Sequence, residues 1–397
     1  MSPPAARLLD LTRLAGRAAR VLTGVDRVER AWAEWLAADA AVPLFALVRT
    51  RPGYLLLDRA GVLAFLQAID KQAWGAARRF DRMTRRDDPD RARVEGTLRR
   101  HAIARAPHRW LASMLRRRLP ALAPDAPLSY VNVGQTTLHG DTVAALRRLP
   151  GARVTVMVHD TIPLDHPEWQ RPGTAARFAA RLRLAAGADR VLVTSGAVAA
   201  DVARHLGADA PPVTVAPLGV TLAAPDPAAV PGGLPDGPWF VTLNTIEARK
   251  NHALLLDVWD DLGPGAPLLC ILGARGWEND AVLARLDARP PRVREMAGLS
   301  DGAVAALVAG ARAMLNPSLA EGYGLPALEA AGRGVPLVCT DLPVWHELLG
   351  DYPVYAAPDD RYLWAGTVRS LAAGGARKPP LSLPTWEGHF TALSGLI

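Results

Sequence analysis

The sequence has 397 residues, half of them hydrophobic, with 46 Lys and Arg against 39 Asp and Glu and two cysteines. This composition excludes a collagen, a coiled coil or a disordered chain, and the length exceeds what one hydrophobic core usually supports, so two domains are expected. No apolar run approaches the roughly 20 residues of a membrane-spanning helix, and the first fourteen residues lack a basic stretch followed by an apolar signal core; a cytoplasmic chain, or one bound to a membrane from outside, is expected.

Along the first half, apolar runs at 42–48, 54–58, 129–134, 153–160, 190–195 and 213–218 read as strands. Helical stretches such as 141–149 and 174–188 fit between them, the pattern of a mostly parallel sheet covered by helices. Within this half, 78–118 holds fourteen Arg, no Lys and five acids, an excess of nine positive charges in a chain whose formal total is +7. Interleaved apolar residues suit this block to an anionic surface, phospholipid or a diphosphate lipid. A solvated helical face is the plainer reading, and no nucleic-acid partner is expected.

Residues 222–238 are dense in Pro and Gly and read as a linker between domains at 1–221 and 239–379. A second series of strands follows at 239–244, 267–274, 293–299, 311–318, 336–341 and 353–358, again separated by helical segments. Two tandem parallel α/β domains of Rossmann-like kind create a central cleft facing the carboxyl ends of both sheets, where such folds bind ligands. The tail, 380–397, carries Trp386 and Phe390 on a short amphipathic pattern and is expected to pack back across the cleft onto the first domain. Cys270 and Cys339 lie inside apolar strand runs and read as reduced core residues.

The segment NPSLAEGYGLPALEAAGRGVP, 316–336, is the most informative. A strand ends near Pro317, a loop carries Glu321, Gly322, Tyr323 and Gly324, and Pro326 is placed at the start of a helix. Backbone N–H groups there favour phosphate, whereas Glu321 and Glu329 accept hydrogen bonds from ribose or sugar hydroxyls. In VTLNTIEARKNH, 241–252, Arg249 and Lys250 fall in the loop before a helix at the cleft, where adjacent cations neutralise a diphosphate leaving group. Only three of the 46 basic residues are Lys, so a Lys kept at 250 is a hint that a compact ammonium is wanted.

These segments, with LSDGAVAALVAGARAMLNPS before and LPVWHELLGD after, resemble the retaining, nucleotide-sugar-dependent glycosyltransferases of family 4 (group 1), of the two-domain GT-B fold. The resemblance is strongest over 239–360 and extends to LTGVDRVERAW, VHDTIPLDHPEW and RVLVTSGAVAADV. It implies that Lys250 binds phosphate, Glu329 the ribose and Glu321 the donor sugar. It further implies that Gly322, Tyr323, Gly324 and Leu325 form the loop touching phosphate and sugar. Gly24 matches the glycine that lets the first loop approach the donor phosphate, and His159, followed by Asp160, matches a His near the acceptor and the transferred sugar. Where many members have an Arg five residues before the Lys, this chain has Thr245; Arg249 or Thr245 itself then contacts phosphate.

No metal is expected, the only Asp-x-Asp, 88–90, lying in the basic block. The resemblance implies transfer of a hexose, mannose- or rhamnose-like, from a nucleoside-diphosphate sugar such as GDP-mannose to a saccharide or lipid-linked acceptor, with retention. The alternatives are a UDP-sugar epimerase of similar fold and a noncatalytic sugar-binding scaffold.

Overall fold

A computed structural model of the chain describes residues 6–119, 128–135, 137–374 and 376–397. Its central apolar runs form strands buried on both faces, which is why they read as unbroken apolar stretches rather than as alternations, whereas the strands at the edges of each sheet are only partly buried. In the first half β1 (Ala6–Asp10), β2 (Leu44–Thr50), β3 (Gly53–Asp58), β4 (Ala104–Ala106), β5 (Leu128–Asn132), β6 (Arg153–Val158), β7 (Arg190–Val193) and β8 (Val213–Val215) lie in the order β4-β3-β2-β1-β5-β6-β7-β8. In the second half β9 (Trp239–Leu243), β10 (Leu268–Leu272), β11 (Val293–Met296), β12 (Ala313–Asn316), β13 (Leu337–Thr340) and β14 (Val354–Ala356) follow the order β11-β10-β9-β12-β13-β14. The second sheet is parallel throughout. The first departs from that pattern at one edge, where β3 runs antiparallel to both β2 and β4.

Two strands of the first sheet were not expected from the sequence, β1 and β4. Strand β1 is central, between β2 and β5, although its five residues include Arg7 and Asp10. Both charges are met inside the protein: Arg7 pairs with Asp39 at 2.5 Å, and Asp10 accepts a hydrogen bond from the Tyr130 hydroxyl at 2.8 Å. Strand β4 reaches its place because β3 opens on a glycine; a Cβ on Gly53 would lie 2.0 Å from the Ala106 carbonyl oxygen.

Residues 216–238 connect the two sheets, and the chain then returns. After the helix Arg361–Gly374, Leu381 N–H donates to Ala331 O of the second half, and Val220 N–H donates to Pro384 O. The helix Trp386–Ala392 then packs on the helix Gly24–Ala38 of the first half. Phe390 stacks on Trp35 at 4.1 Å between ring centres and meets Trp32 edge-on at 5.3 Å. His389 Nδ1 donates to Pro217 O at 2.9 Å. Gly219 permits this crossing, since a Cβ there would lie 2.3 Å from the Trp386 nitrogen. One apolar cluster thereby runs from Trp32 and Leu36 through Phe390 and Leu393 to Leu328 and Ala330. Cys270 and Cys339 are free and buried in the second half, and burial pushes the Cys270 thiol up to about 11.

Candidate functional site

The site is built from loops at the carboxyl ends of both sheets. After β9 the chain passes Thr245 and Glu247 and makes one tight turn, Ala248–Lys250, before the helix His252–Leu262. After β12 it loops through Glu321 to Gly324, which takes a left-handed φ of 79° and opens the helix Leu325–Ala331. A Cβ on Gly324 would strike the Trp345 ring at 2.0 Å, so only glycine fits. The two loops meet in a charge cluster. Lys250 Nζ pairs with one oxygen of Glu321, and Arg249 lies 3.3 Å from the other while its Nε is 2.6 Å from Glu247.

Burial governs the protonation of this cluster. Burial and the neighbouring Arg249 lower Lys250 to about 8, against which Glu321 pulls upward. Burial alone would raise Glu321, but the charges of Lys250 and Arg249 outweigh it and hold the carboxyl down at about 2. The group is thus a carboxylate clamped by two cations, and at neutral pH a second anion entering the cleft competes with Glu321 for them.

Opposite stand His159 and Asp160, at the end of β6. The peptide N–H of His159 donates to Gln135 Oε1 at 3.0 Å and its Nε2 to the Val133 carbonyl at 2.8 Å. That bond places the proton on Nε2 and leaves Nδ1 as an acceptor. Burial lowers the imidazole to about 4, so the ring is neutral at physiological pH. Asp160 is raised by burial, with Arg249 opposing. The halves touch here: a Cβ on Gly322 would lie 2.4 Å from His159 O, and the Thr194 hydroxyl donates to Gly322 O at 3.2 Å.

The remaining sequence-predicted residues divide. Glu329, one turn into its helix, lies 3.4 Å from Arg27 of the first half, and burial raises its carboxyl. Gly24 begins the helix that carries Arg27, with Leu325 3.8 Å from where its Cβ would be. The side chain of Tyr323 is committed elsewhere, its hydroxyl donating to Leu218 O at 2.7 Å, so the backbone of this residue is what it offers to the cleft. Thr245 packs its methyl toward Gly276.

Sequence reasoning missed the groups that tie the halves together: Arg27, Thr194 and Glu347. Glu347 caps the helix Gly196–Leu206, accepting from Gly196 N–H at 2.7 Å and Ala197 N–H at 3.1 Å. The local signal was present in Ser195-Gly196-Ala197, a helix start whose exposed N–H groups invite a carboxylate. At the rim, Trp277 Nε1 donates to Trp169 O at 3.1 Å.

The basic block 78–118 does not form one cationic face. Arg85 and Arg91 bond to Glu95, and Arg99 bonds to Asp81, both acids being fully buried. Asp88 caps the helix Pro89–His101 and Asp90 pairs with Arg93. The exposed remainder, including Arg79, Arg82 and Arg116 to Arg118, accompanies exposed Phe80, Met83 and Trp110. Among the described residues no helix is long and apolar enough to cross a membrane. Among them, too, no group of three His, Cys, Asp or Glu is arranged to hold a metal ion.

Two family models match the chain in succession: residues 73–224 match Glycosyltransferase Family 4 and residues 237–373 match Glycosyl transferases group 1. The chain is 33% identical over 238 residues to a serotype-specific mannosyltransferase of Escherichia coli, covering 54% of this chain and 29% of that protein. It is 36% identical over 123 residues to the O-antigen chain mannosyltransferase B of Escherichia coli, covering 30% of this chain and 32% of that protein. The matched stretches thus span less than a third of the length of either relative. The sucrose-phosphate synthase of Thermosynechococcus elongatus shares the fold with a TM-score of 0.60, over 99% of this chain and 94% of that one, at 15% identity. Anabaena HepE in complex with UDP and glucose does so with a TM-score of 0.57, over 98% and 95%, at 13% identity. The two-sheet architecture is the GT-B fold, and the chain belongs to the group 1 glycosyltransferases.

Proposed function

We propose that this group 1 glycosyltransferase moves a hexose from a nucleoside-diphosphate sugar to a saccharide or lipid-linked acceptor with retention at the anomeric carbon. A mannose- or rhamnose-like sugar is favoured, with GDP-mannose the leading donor, and the mannosyltransferase relatives support that choice. The observation that carries the reading is the Lys250–Glu321–Arg249 cluster facing His159 across the cleft. Two cations, both paired to Glu321 and one also to Glu247, are poised to take up a diphosphate, and their charge grows in value as the nucleoside diphosphate departs.

In this reading Glu329 accepts from the ribose hydroxyls, Glu321 from a hydroxyl of the donor sugar, and the backbone from Gly322 to Leu325 lies along phosphate and sugar. The bond from the anomeric carbon to the phosphate oxygen breaks while the acceptor oxygen bonds that carbon on the same face. The acceptor proton passes to the departing phosphate, so no glycosyl-enzyme intermediate and no metal is invoked. His159, neutral and with Nε2 committed to Val133 O, serves as a hydrogen-bond acceptor through Nδ1 rather than as an acid. Asp160 stands beside it as a second acceptor. The exposed part of the 78–118 block supports peripheral docking at the cytoplasmic face of an anionic membrane, where a lipid-linked acceptor would be met.

A thermal-shift screen with GDP, UDP, ADP and dTDP tests the donor site. The matching nucleotide at about 100 times its dissociation constant stabilises by roughly 2.7 kcal/mol. Incubation of the protein with the corresponding sugar nucleotide follows. Acceptor-dependent release of the nucleotide and a product of unchanged anomeric configuration are expected. Conversion to an epimeric sugar nucleotide without acceptor overturns the transferase reading, and an inverted product overturns retention.

A further inference from the structure

The first half holds a second polar cavity that shares no residue with the donor-side cluster. It has a volume of about 380 Å³ and opens beside the carboxyl ends of β1 and β2 and the loop after β5. Six arginines line it: Arg13, Arg17, Arg49, Arg51, Arg85 and Arg91. Three threonines, His139 and Gly16 complete the wall, and among the described residues no carboxylate lines it.

The acids that hold four of these arginines stand behind them, while Arg51 pairs at 2.6 Å with the exposed Asp87. Asp26, fully buried, takes both Arg13 at 2.8 Å and Arg17 at 3.4 Å. Glu95, also fully buried, takes both Arg85 at 2.6 Å and Arg91 at 2.9 Å. Each acid offsets one of its two cations and fixes the orientation of both. Arg49 is 3.9 Å from its nearest carboxylate, Asp141, and its buried Nε makes no hydrogen bond among the described residues; nor does that of Arg17. Gly16 makes room for the Arg91 guanidinium, which a Cβ there would meet at 2.6 Å. A cavity lined by preorganised guanidinium and hydroxyl donors, with charge left over, is built for a group offering several anionic oxygens.

The cavity also adjoins the reaction centre. Arg13 packs under Gly134, its Cβ 3.2 Å from where a Gly134 Cβ would be. Gly134 follows Val133, whose carbonyl holds His159. The charge of Arg13 contributes to keeping that imidazole neutral.

We infer that this arginine-lined cavity is a phosphate-binding subsite that holds a phosphate or diphosphate group of the acceptor while its hydroxyl reaches the donor sugar at His159. The inference rests on the transferase reading and specifies the chemistry of the acceptor. The cavity recognises the group that a lipid-diphosphate carrier and a phosphorylated saccharide share, and the experiment below separates the two sources.

The experiment is calorimetric titration of the full chain with inorganic pyrophosphate, in wild type, in Lys250→Ala, and in Lys250→Ala with Arg17→Gln and Arg49→Gln added. Removing Lys250 disables the donor-side diphosphate site, so the binding that remains reports on the cavity. Pyrophosphate affinity within about threefold of wild type in Lys250→Ala, and at least tenfold weaker in the triple variant, is expected. Loss of binding in Lys250→Ala, or no change on replacing the two arginines, overturns the proposal. A readout needing no variant is the His139 ring by NMR: it lines the cavity, and burial and Arg49 keep its pKa low. Pyrophosphate raises it if the cavity is occupied, and an unmoved His139 overturns the assignment. Farnesyl diphosphate binding more tightly than pyrophosphate assigns the group to a lipid carrier, and equal binding to a soluble saccharide phosphate; both require the cavity. Failure of the donor reading shows separately, as unaltered nucleotide binding in Lys250→Ala.

Discussion

The two halves share one architecture and handle charge in opposite ways. In the second half the carboxylates of Glu321 and Glu247 lie in the site itself with Lys250 and Arg249 closed upon them, so the charges neutralise one another there. In the first half the carboxylates Asp26 and Glu95 sit at 0% exposure behind the arginines, which point into a cavity. The first arrangement stores cations that a ligand must win from an acid. The second fixes cations that a ligand finds already turned toward it. In one half the acid belongs to the binding chemistry, in the other to the scaffold.

The largest expected effect tests the donor-side half of that contrast. Glu321→Gln keeps shape and removes the charge, so the fold persists while turnover falls about 100- to 1000-fold, the usual range for losing one preorganised electrostatic group. A steady-state assay beside a denaturant melt checks both parts, and a mutant that unfolds while the surviving fraction stays active breaks the comparison. Next in size, Glu95→Ala strands Arg85 and Arg91 and costs about 3 kcal/mol of stability, at the low end for breaking a buried pair because both arginines are partly exposed. Nucleotide affinity in the folded fraction should not change; equilibrium urea unfolding and nucleotide titration decide it. The smallest effect concerns pH. A ligand diphosphate needs Lys250 charged, and in the free protein the group loses its proton near 8 rather than near 10.5. Nucleotide affinity therefore falls as pH rises, by about eightfold between pH 7.5 and 9, since each unit above the pKa costs tenfold in the charged fraction. Lys250→Arg removes the dependence, and an equally pH-sensitive Lys250→Arg protein would assign the titration to another group.

Legibility in the sequence follows the same divide. The central strands of the second sheet, β9, β10, β12 and β13, stand out because each is buried on both faces, and Lys250 stands out because lysine is scarce in this chain. The loop from Glu321 to Gly324 is local too, its glycines, proline and acids all within a few residues. The first half resists because its burial is settled at long range. Strand β1, ARLLD, places two charges in the middle of a sheet, and only Asp39 and Tyr130, far along the chain, make that tolerable. Local patterns give Glu95 its i,i+4 partner Arg91 and Asp26 its capping-box partner Thr23, but such pairs are common on exposed helices; what buries the two acids are Arg85 and Arg13, ten and thirteen positions away. Read as composition, 78–118 is a cationic surface, and burial of Asp81 and Glu95 draws three of its arginines inward. Of the contacts between halves, Glu347 to Gly196 leaves only the open helix start at 195–197 in the sequence, and Thr194 to Gly322 leaves no local pattern, because both exist only once the sheets are docked.

The returning tail bears on how the protein is made. Trp32 and Trp35 leave the ribosome more than three hundred residues before their covering partner Phe390. Since domains tend to fold in order during synthesis, the first half must wait with an aromatic face uncovered while more than three hundred further residues emerge. A nascent or truncated chain therefore carries a sticky ring surface that a finished one hides, which marks incomplete molecules for chaperones and commits the two halves to docking before the protein leaves their care.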